Sequence, residues 1–239
     1  MPTQHDVKKS LPSYLTELVP TVERIHRALG HQQDTYSVDT TFIRAVDNPA
    51  FVGSASPYMS HRFGPPVPAF LTDDGTLEFN WLYLGLSQNV AAWESQFVKN
   101  NRGAGNGFHV TRMAEANGLF AKVRFARSLK LWSLSKDNAS RLGVHDIVSS
   151  EDHEACQWLG CRIRDAMLML DSMDRPDGFV YPSRRVKGAP ALALADWSAP
   201  DLFATAYVSF ERFIDSETYA AFDRDSMRTE PPALDAPSL

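Results

Sequence analysis

Seven residues, Asn80 to Leu86, constrain the fold of this chain more than any other segment. Read as an extended run, Trp81 and Tyr83 point to one side and Leu82 and Leu84 to the other. A strand that is apolar on both faces needs cover on both, so it belongs inside a sheet with packing layers above and below. Gly85 leaves room beside it for another element. A second strand, Leu119 to Ala126, alternates Leu119, Ala121, Val123 and Phe125 with Lys122 and Arg124, the pattern of a sheet with one face toward solvent. Further short strands are expected at Thr40 to Val46, Gly178 to Tyr181, Ala191 to Leu194 and Ala204 to Phe213.

Helical spacing marks Tyr14 to Leu29, which Pro20 kinks or splits, then Gln88 to Lys99, and most clearly Glu151 to Leu170. In the last of these Cys156, Leu159, Ile163, Met167 and Leu170 form one apolar stripe, and Ser149 or Ser150 is placed to cap its start. Strands and helices are mixed without regular alternation, which points to an α+β fold: a mixed, largely antiparallel sheet with flanking helices. With 44% hydrophobic and 22% charged residues, 239 residues suffice for one sizeable core. The expected division is a helical extension over 1–38, a main domain over 39–215 and a C-terminal segment over 216–239 that becomes a mobile tail from Met227 onward. The Gly, Ser and Pro-rich segment Asn48 to Gly75 is too long for a plain connection and reads as functional or poorly ordered.

Charge and cysteine usage narrow the function. A net charge of −5 lacks the basic excess that drives non-specific nucleic-acid binding. No uninterrupted apolar run reaches membrane-spanning length, and the polar start of the chain has no apolar stretch behind its lysines. Cys156 and Cys161, five positions apart in one helix, point about 140° away from each other and do not pair within it. Thiols without a disulfide framework fit the cytoplasm, either of the producing cell or of a recipient cell. The histidines are scattered, and His153 with Cys156 has no second ligand pair at zinc spacing, so no metal site is expected. The run Gly103-x-Gly105-x-Gly107 matches neither a phosphate-binding loop nor a dinucleotide fingerprint and reads as flexible loop.

Glu94 is the most informative single residue. Ala91 and Val98, with Val90 and Phe97, put it in the middle of an apolar helical arc, where a carboxylate needs partners or a task, unless the helix end projects past the core into solvent. Arg44, in Phe42-Ile43-Arg44-Ala45-Val46, and Arg62, in His61-Arg62-Phe63-Gly64, stand among apolar neighbours. They are either surface residues on edge strands or anion ligands through charge-assisted hydrogen bonds. Tyr83 is either core or part of a ligand platform. Ser183 follows a short strand into a turn, without the G-x-S-x-G pattern of a nucleophile elbow.

In order, Phe42-Ile43-Arg44, His61-Arg62-Phe63-Gly64, Leu82-Tyr83-Leu84-Gly85 with Ala91-Ala92-Trp93-Glu94, and Asp177-Gly178-Phe179-Val180-Tyr181-Pro182-Ser183 resemble the RES-domain family over roughly Thr40 to Phe213. Ile43 and His61/Gly64 stand where that family usually has a polar aromatic and a Gly-Arg-Phe-Asn run. The resemblance implies an ADP-ribosyltransferase-like fold and a bacterial toxin, of a toxin–antitoxin pair, that degrades NAD+ by hydrolysis or phosphorolysis. A transferase acting on a macromolecule and an inactive binding member are the alternatives. It implies Glu94 and Ser183 as catalytic and Arg44, Arg62 and Tyr83 as substrate-binding. NAD+ would be substrate with phosphate as a possible co-substrate, and no separate cofactor is implied. A cognate antitoxin or immunity protein would cover the cleft near Arg62 and Asn48 to Gly75.

Overall fold

The computed structural model describes residues 10–67, 69–101, 106–135 and 137–232. In chain order its strands are β1 (Gln33–Tyr36), β2 (Phe42–Val46), β3 (Trp81–Gly85), β4 (Val98–Asn100), β5 (Phe108–Val110), β6 (Leu119–Arg124), β7 (Leu129–Ser133), β8 (Gly178–Pro182), β9 (Pro190–Ala195) and β10 (Tyr207–Arg212). Its α-helices are α1 (Val22–Leu29), α2 (Gln88–Glu94), α3 (Arg112–Asn117), α4 (Asn138–Leu142), α5 (His145–Ser149), α6 (His153–Leu168), α7 (Ala199–Ala204) and α8 (Glu217–Asp223). Eight strands form one sheet in the order β1-β7-β8-β9-β3-β2-β6-β10, and β4 and β5 form a separate hairpin. Every neighbouring pair in the large sheet is antiparallel except β7 with β8. The fold is therefore α+β with a mostly antiparallel sheet, as the mixed order of elements implies.

The two-sided strand sits where its composition requires. β3 lies between β9 and β2 near the middle of the sheet. Trp81, with Ala193 of the neighbouring β9 and Phe179 and Tyr181 of β8 beyond it, faces a core layer that includes Ile25 and Leu29 of α1 and Leu159, Ile163 and Met167 of α6. Leu82 and Leu84 face a second layer with Val180, Leu192, Leu194 and Leu202. A third cluster, built on Ile43, Ala91, Ala92, Phe97, Phe120 and Phe213, fills the space between β2, β6 and α2. Cys156 and Cys161 are both free and buried on α6.

Several boundaries differ from expectation for identifiable reasons. The helix expected over Tyr14 to Leu29 is a 3-10 turn at Ser13–Leu15 and then α1, which starts beyond Pro20 with Thr21 accepting from the Arg24 amide. α6 is capped by Asp152, which accepts from the Ala155 amide at 3.1 Å, and not by either serine. α2 stops at Glu94 instead of Lys99. Gln96 takes a positive φ of 63°, which turns the chain so that Phe97 and Val98 both enter the third cluster and Val98 starts β4. At Met227 and Thr229, where the tail is expected to begin, the chain still pairs with β5: the Phe108 amide donates to the Met227 carbonyl and the Thr229 amide to the Phe108 carbonyl. Residues 1–9, 103–105 of the glycine run and the end of the tail lie outside the described residues. No described helix is long and apolar enough to cross a membrane.

Candidate active site

The register of the sheet makes a shallow floor. Tyr181 of β8 pairs with Ala191 of β9, Ala191 with Gly85 of β3, and Gly85 with Ile43 of β2, so one row crosses four strands with only a methyl group and a hydrogen in its middle. Gly85 also eases the approach of the next element. A Cβ there would lie 3.0 Å from the Ala91 amide nitrogen and 3.1 Å from the Ser87 carbonyl oxygen, so any larger residue would push the start of α2 away from the strand. Ser87 caps that helix on the Val90 amide at 3.2 Å. Seven residues later the helix delivers Glu94, its last residue, to the end of the row.

Glu94 is half-buried and held on both oxygens. The Ser183 hydroxyl donates to Oε1 at 2.7 Å and the Tyr181 phenol donates to Oε2 at 3.0 Å. The amides of Arg185 and Val186 donate to Ser183 Oγ at 3.2 and 3.1 Å, which leaves the single hydroxyl proton for Glu94. Tyr181 is fully buried, its ring packed edge-on to Phe63 at 4.8 Å. Burial first and the Glu94 charge second push its phenol well above the ordinary range, so the proton stays on Tyr181 and points at the carboxylate. Ser183 is equally inaccessible at 4% exposure. Its hydroxyl therefore orients Glu94, and nothing in its setting prepares it as a nucleophile.

The two arginines expected at the site line the same cavity as Glu94, with Tyr83 between them. Arg44 donates from Nη1 to the Tyr83 carbonyl at 3.1 Å and from Nη2 to the Ser54 carbonyl at 2.7 Å, and burial draws its pKa down to about 10. Arg62 lies 5.6 Å from the Phe63 ring and donates through Nη2 to the Val148 carbonyl and, at 3.4 Å, to that of Ser150. The Nε atoms of both are buried without a hydrogen-bond partner. Among the described residues neither guanidinium forms an ion pair. The Tyr83 phenol accepts from the Phe63 amide at 3.0 Å, which fixes the ring against the loop that carries Arg62. That loop is clamped further by Phe63, fully buried, and by Gly160 of α6, where a Cβ would fall 1.9 Å from the Phe63 carbonyl oxygen.

The cavity encloses about 470 Å³, within the roughly 300–1,000 Å³ range of small-molecule sites. Arg184 and Arg185 line it as well, so four guanidiniums face one carboxylate in a chain whose net charge is −5. Such a cleft favours an elongated anion with an electron-deficient centre near Glu94. A smaller hollow of about 220 Å³, at Gln33, Asp34, Ser133 and Arg141, lies on the other end of the sheet and holds none of the expected residues. Among the described residues no three His, Cys, Asp or Glu side chains gather as a metal-binding set.

The RES domain family model matches residues 25–220. The chain belongs to the RES domain family. No curated protein and no solved structure matches it. The glutamate and serine expected from the RES resemblance are hydrogen-bonded to each other, and the first arginine lies on the neighbouring wall of the same cavity. Tyr181, Arg184 and Arg185 belong to the site without being marked by the sequence reading, and His153, which figures there only as an unpaired metal-ligand candidate, lines the cavity. Tyr181 stands inside a quoted motif, but its alternation in β8 marks a core residue and carries no sign that its hydroxyl meets a carboxylate. The Arg184-Arg185 pair directly after Ser183 was a usable signal, since two adjacent cations beyond a buried strand rarely serve packing.

Proposed function

We propose that this RES domain binds NAD+ in the Glu94 cleft and breaks its nicotinamide–ribose bond, acting as the toxin of a toxin–antitoxin pair. The observation that carries this reading is the doubly held Glu94 at the end of an arginine-lined cavity. Nicotinamide departs with the bonding electron pair and becomes neutral, so the reaction needs no general acid, unlike hydrolysis of an ordinary glycoside. What it needs is negative charge beside the ribose carbon as positive charge grows there. The fixed Glu94 carboxylate supplies that without reorganising, because Ser183 and Tyr181 already set its plane. It also accepts the proton of an attacking water; attack by phosphate makes no such demand.

Arg44 and Arg62 bind the pyrophosphate through the N–H groups that the backbone carbonyls leave unused. Tyr83 lies against the nicotinamide end, and no additional cofactor takes part. Nicotinamide release from NAD+ by purified protein, followed with and without phosphate, tests the reading. Release without phosphate identifies hydrolysis, release only with phosphate identifies phosphorolysis, and radiolabel appearing on a macromolecule identifies transfer. No release under any of these conditions refutes it.

A cognate inhibitor that caps the cleft completes the proposal. Its support is the exposed apolar surface of the Asn48 to Gly75 segment, where Phe51, Tyr58, Met59 and Val67 face solvent and Met59 lines the cleft together with Arg62. A partner that leaves NAD+ cleavage intact when bound overturns this part.

A further inference from the structure

Arg62 and Arg184 come from different elements yet converge on one acceptor. Arg184 Nη1 donates to the Ser150 carbonyl at 3.1 Å and Arg62 Nη2 reaches the same oxygen at 3.4 Å. A neutral carbonyl satisfies hydrogen bonds but compensates neither charge, so two like charges are held together beside the cleft at a cost to the fold. The acidic group nearest to Arg184 is Glu151, 3.9 Å away, whose side chain is 67% exposed where that of Arg184 is 14% exposed. Solvent screens most of that attraction. His153 and Arg185 line the same cavity, and His153 lies within electrostatic reach of both guanidiniums. Burial, then Arg185 and Arg62, disfavour the charge on Arg184, while Glu151 and Glu94 oppose that shift only in part. The buried Nε of Arg62 still has no acceptor. A cluster like this is completed by an anion with several oxygens.

We propose that Arg184, together with Arg62 and His153, forms a phosphate subsite at the cleft mouth that takes the pyrophosphate of the dinucleotide and sets the preference for NAD+ over a phosphate-free nicotinamide riboside. This rests on the reading of the cleft given above. The guanidinium of Arg184 binds two phosphate oxygens in its planar fork, which an ammonium group reproduces only in part.

The test is Arg184→Gln and Arg184→Lys, with nicotinamide release measured on NAD+ and on nicotinamide riboside, each with and without added phosphate, and melting temperature as a control for folding. For Arg184→Gln the KM for NAD+ rises by roughly tenfold to a hundredfold, the range of one charge-assisted contact. The ratio of kcat/KM between the two substrates falls by the same factor, and Arg184→Lys lies between. An unchanged ratio, with both substrates slowing together, overturns the inference, because Arg184 then serves the frame of the site. Loss confined to a phosphate-stimulated rate also overturns it, since the subsite then belongs to free phosphate. Calorimetric titration with inorganic pyrophosphate separates this inference from the NAD+ reading. If pyrophosphate binds the unaltered protein and not Arg184→Gln while NAD+ is left intact, only the NAD+ reading fails. If neither protein binds pyrophosphate, the subsite fails.

Discussion

Glu94→Gln is the perturbation that separates chemistry from packing most sharply. The amide has the size of the carboxylate but offers one acceptor atom where Glu94 offers two. The Ser183 proton has nowhere else to go, because the amides of Arg185 and Val186 occupy the accepting side of its hydroxyl. The glutamine oxygen therefore turns to Ser183 and its NH2 to Tyr181, whose hydroxyl rotates from donating to accepting. Both charge-assisted hydrogen bonds become neutral ones, at about 1 kcal/mol each, a loss offset in part because a carboxylate is no longer held out of water. The chemical step loses far more. Removing the negative charge that faces the developing cation should slow turnover by about 10²–10⁴, equivalent to roughly 2.7–5.4 kcal/mol at about 1.36 kcal/mol per decade. The measurement is nicotinamide release under saturating NAD+, an NAD+ dissociation constant and a melting temperature on the same preparation. Turnover should collapse while affinity and melting temperature move little. A folded Glu94→Gln protein with turnover within threefold of the original would refute the electrostatic role and with it the assignment of Glu94 as the reacting group.

Three further outcomes follow from the geometry. Tyr181→Phe keeps the buried ring against Phe63 and Phe179 but strips one donor from Glu94, so kcat should fall by about tenfold or more with KM and melting temperature nearly unchanged; a rate within twofold would show that Ser183 alone holds the carboxylate. Gly160→Ala forces the Phe63 loop away from α6 and should destabilise the protein by at least about 1–3 kcal/mol in urea titrations; it should also weaken NAD+ binding, because the same loop carries Arg62. His61, His109 and His153 are all held below the ordinary histidine range, by burial first and then by Arg44, by Lys99, and by Arg184 with Arg62, while Asp152 and Glu151 oppose the shift at His153. On acidification through about pH 6.5 the unfolded chain therefore takes up protons before the folded one. Stability should fall through that window and level off once the folded-state imidazoles are protonated, and His153→Gln, measured by urea titration between pH 5 and 8, should flatten the slope.

The parts of the fold that were legible in the sequence are those whose residues leave few choices. Trp81 to Leu84 demanded a covered strand and became β3 near the centre of the sheet, and the stripe from Cys156 to Met167 became α6. β1 was not legible, because Gln33-Asp34-Thr35-Tyr36 has no apolar face and forms a strand only through pairing with β7 at the sheet edge. The short end of α2 was hidden for a different reason. A helix running on to Lys99 and a turn at Gln96 both explain Phe97 and Val98, and only the cluster around Phe120 and Phe213 decides between them. At the site, the carboxylate and its serine were readable as residue types at family positions. The acceptors of the arginines were not, since the carbonyls of Ser54, Tyr83, Val148 and Ser150 are groups that every residue carries, and no pattern of side chains announces them.

Anchoring cations on neutral carbonyls also shapes how this protein tolerates change. Burial, Arg185 and Arg62 work against the charge on Arg184 while Glu151 and Glu94 favour it, so an uncharged residue there removes a ligand without leaving an unpaired buried carboxylate behind. Most inactivating substitutions in a protein lower its abundance, since function and stability usually fail together. At the cleft mouth the two are separable, and an Arg184 lesion should leave a chain that is still folded. A population screened for loss of activity would then be enriched in intact protein that still exposes Phe51, Tyr58 and Met59, and under the proposed function such silent copies would compete with working ones for an inhibitor.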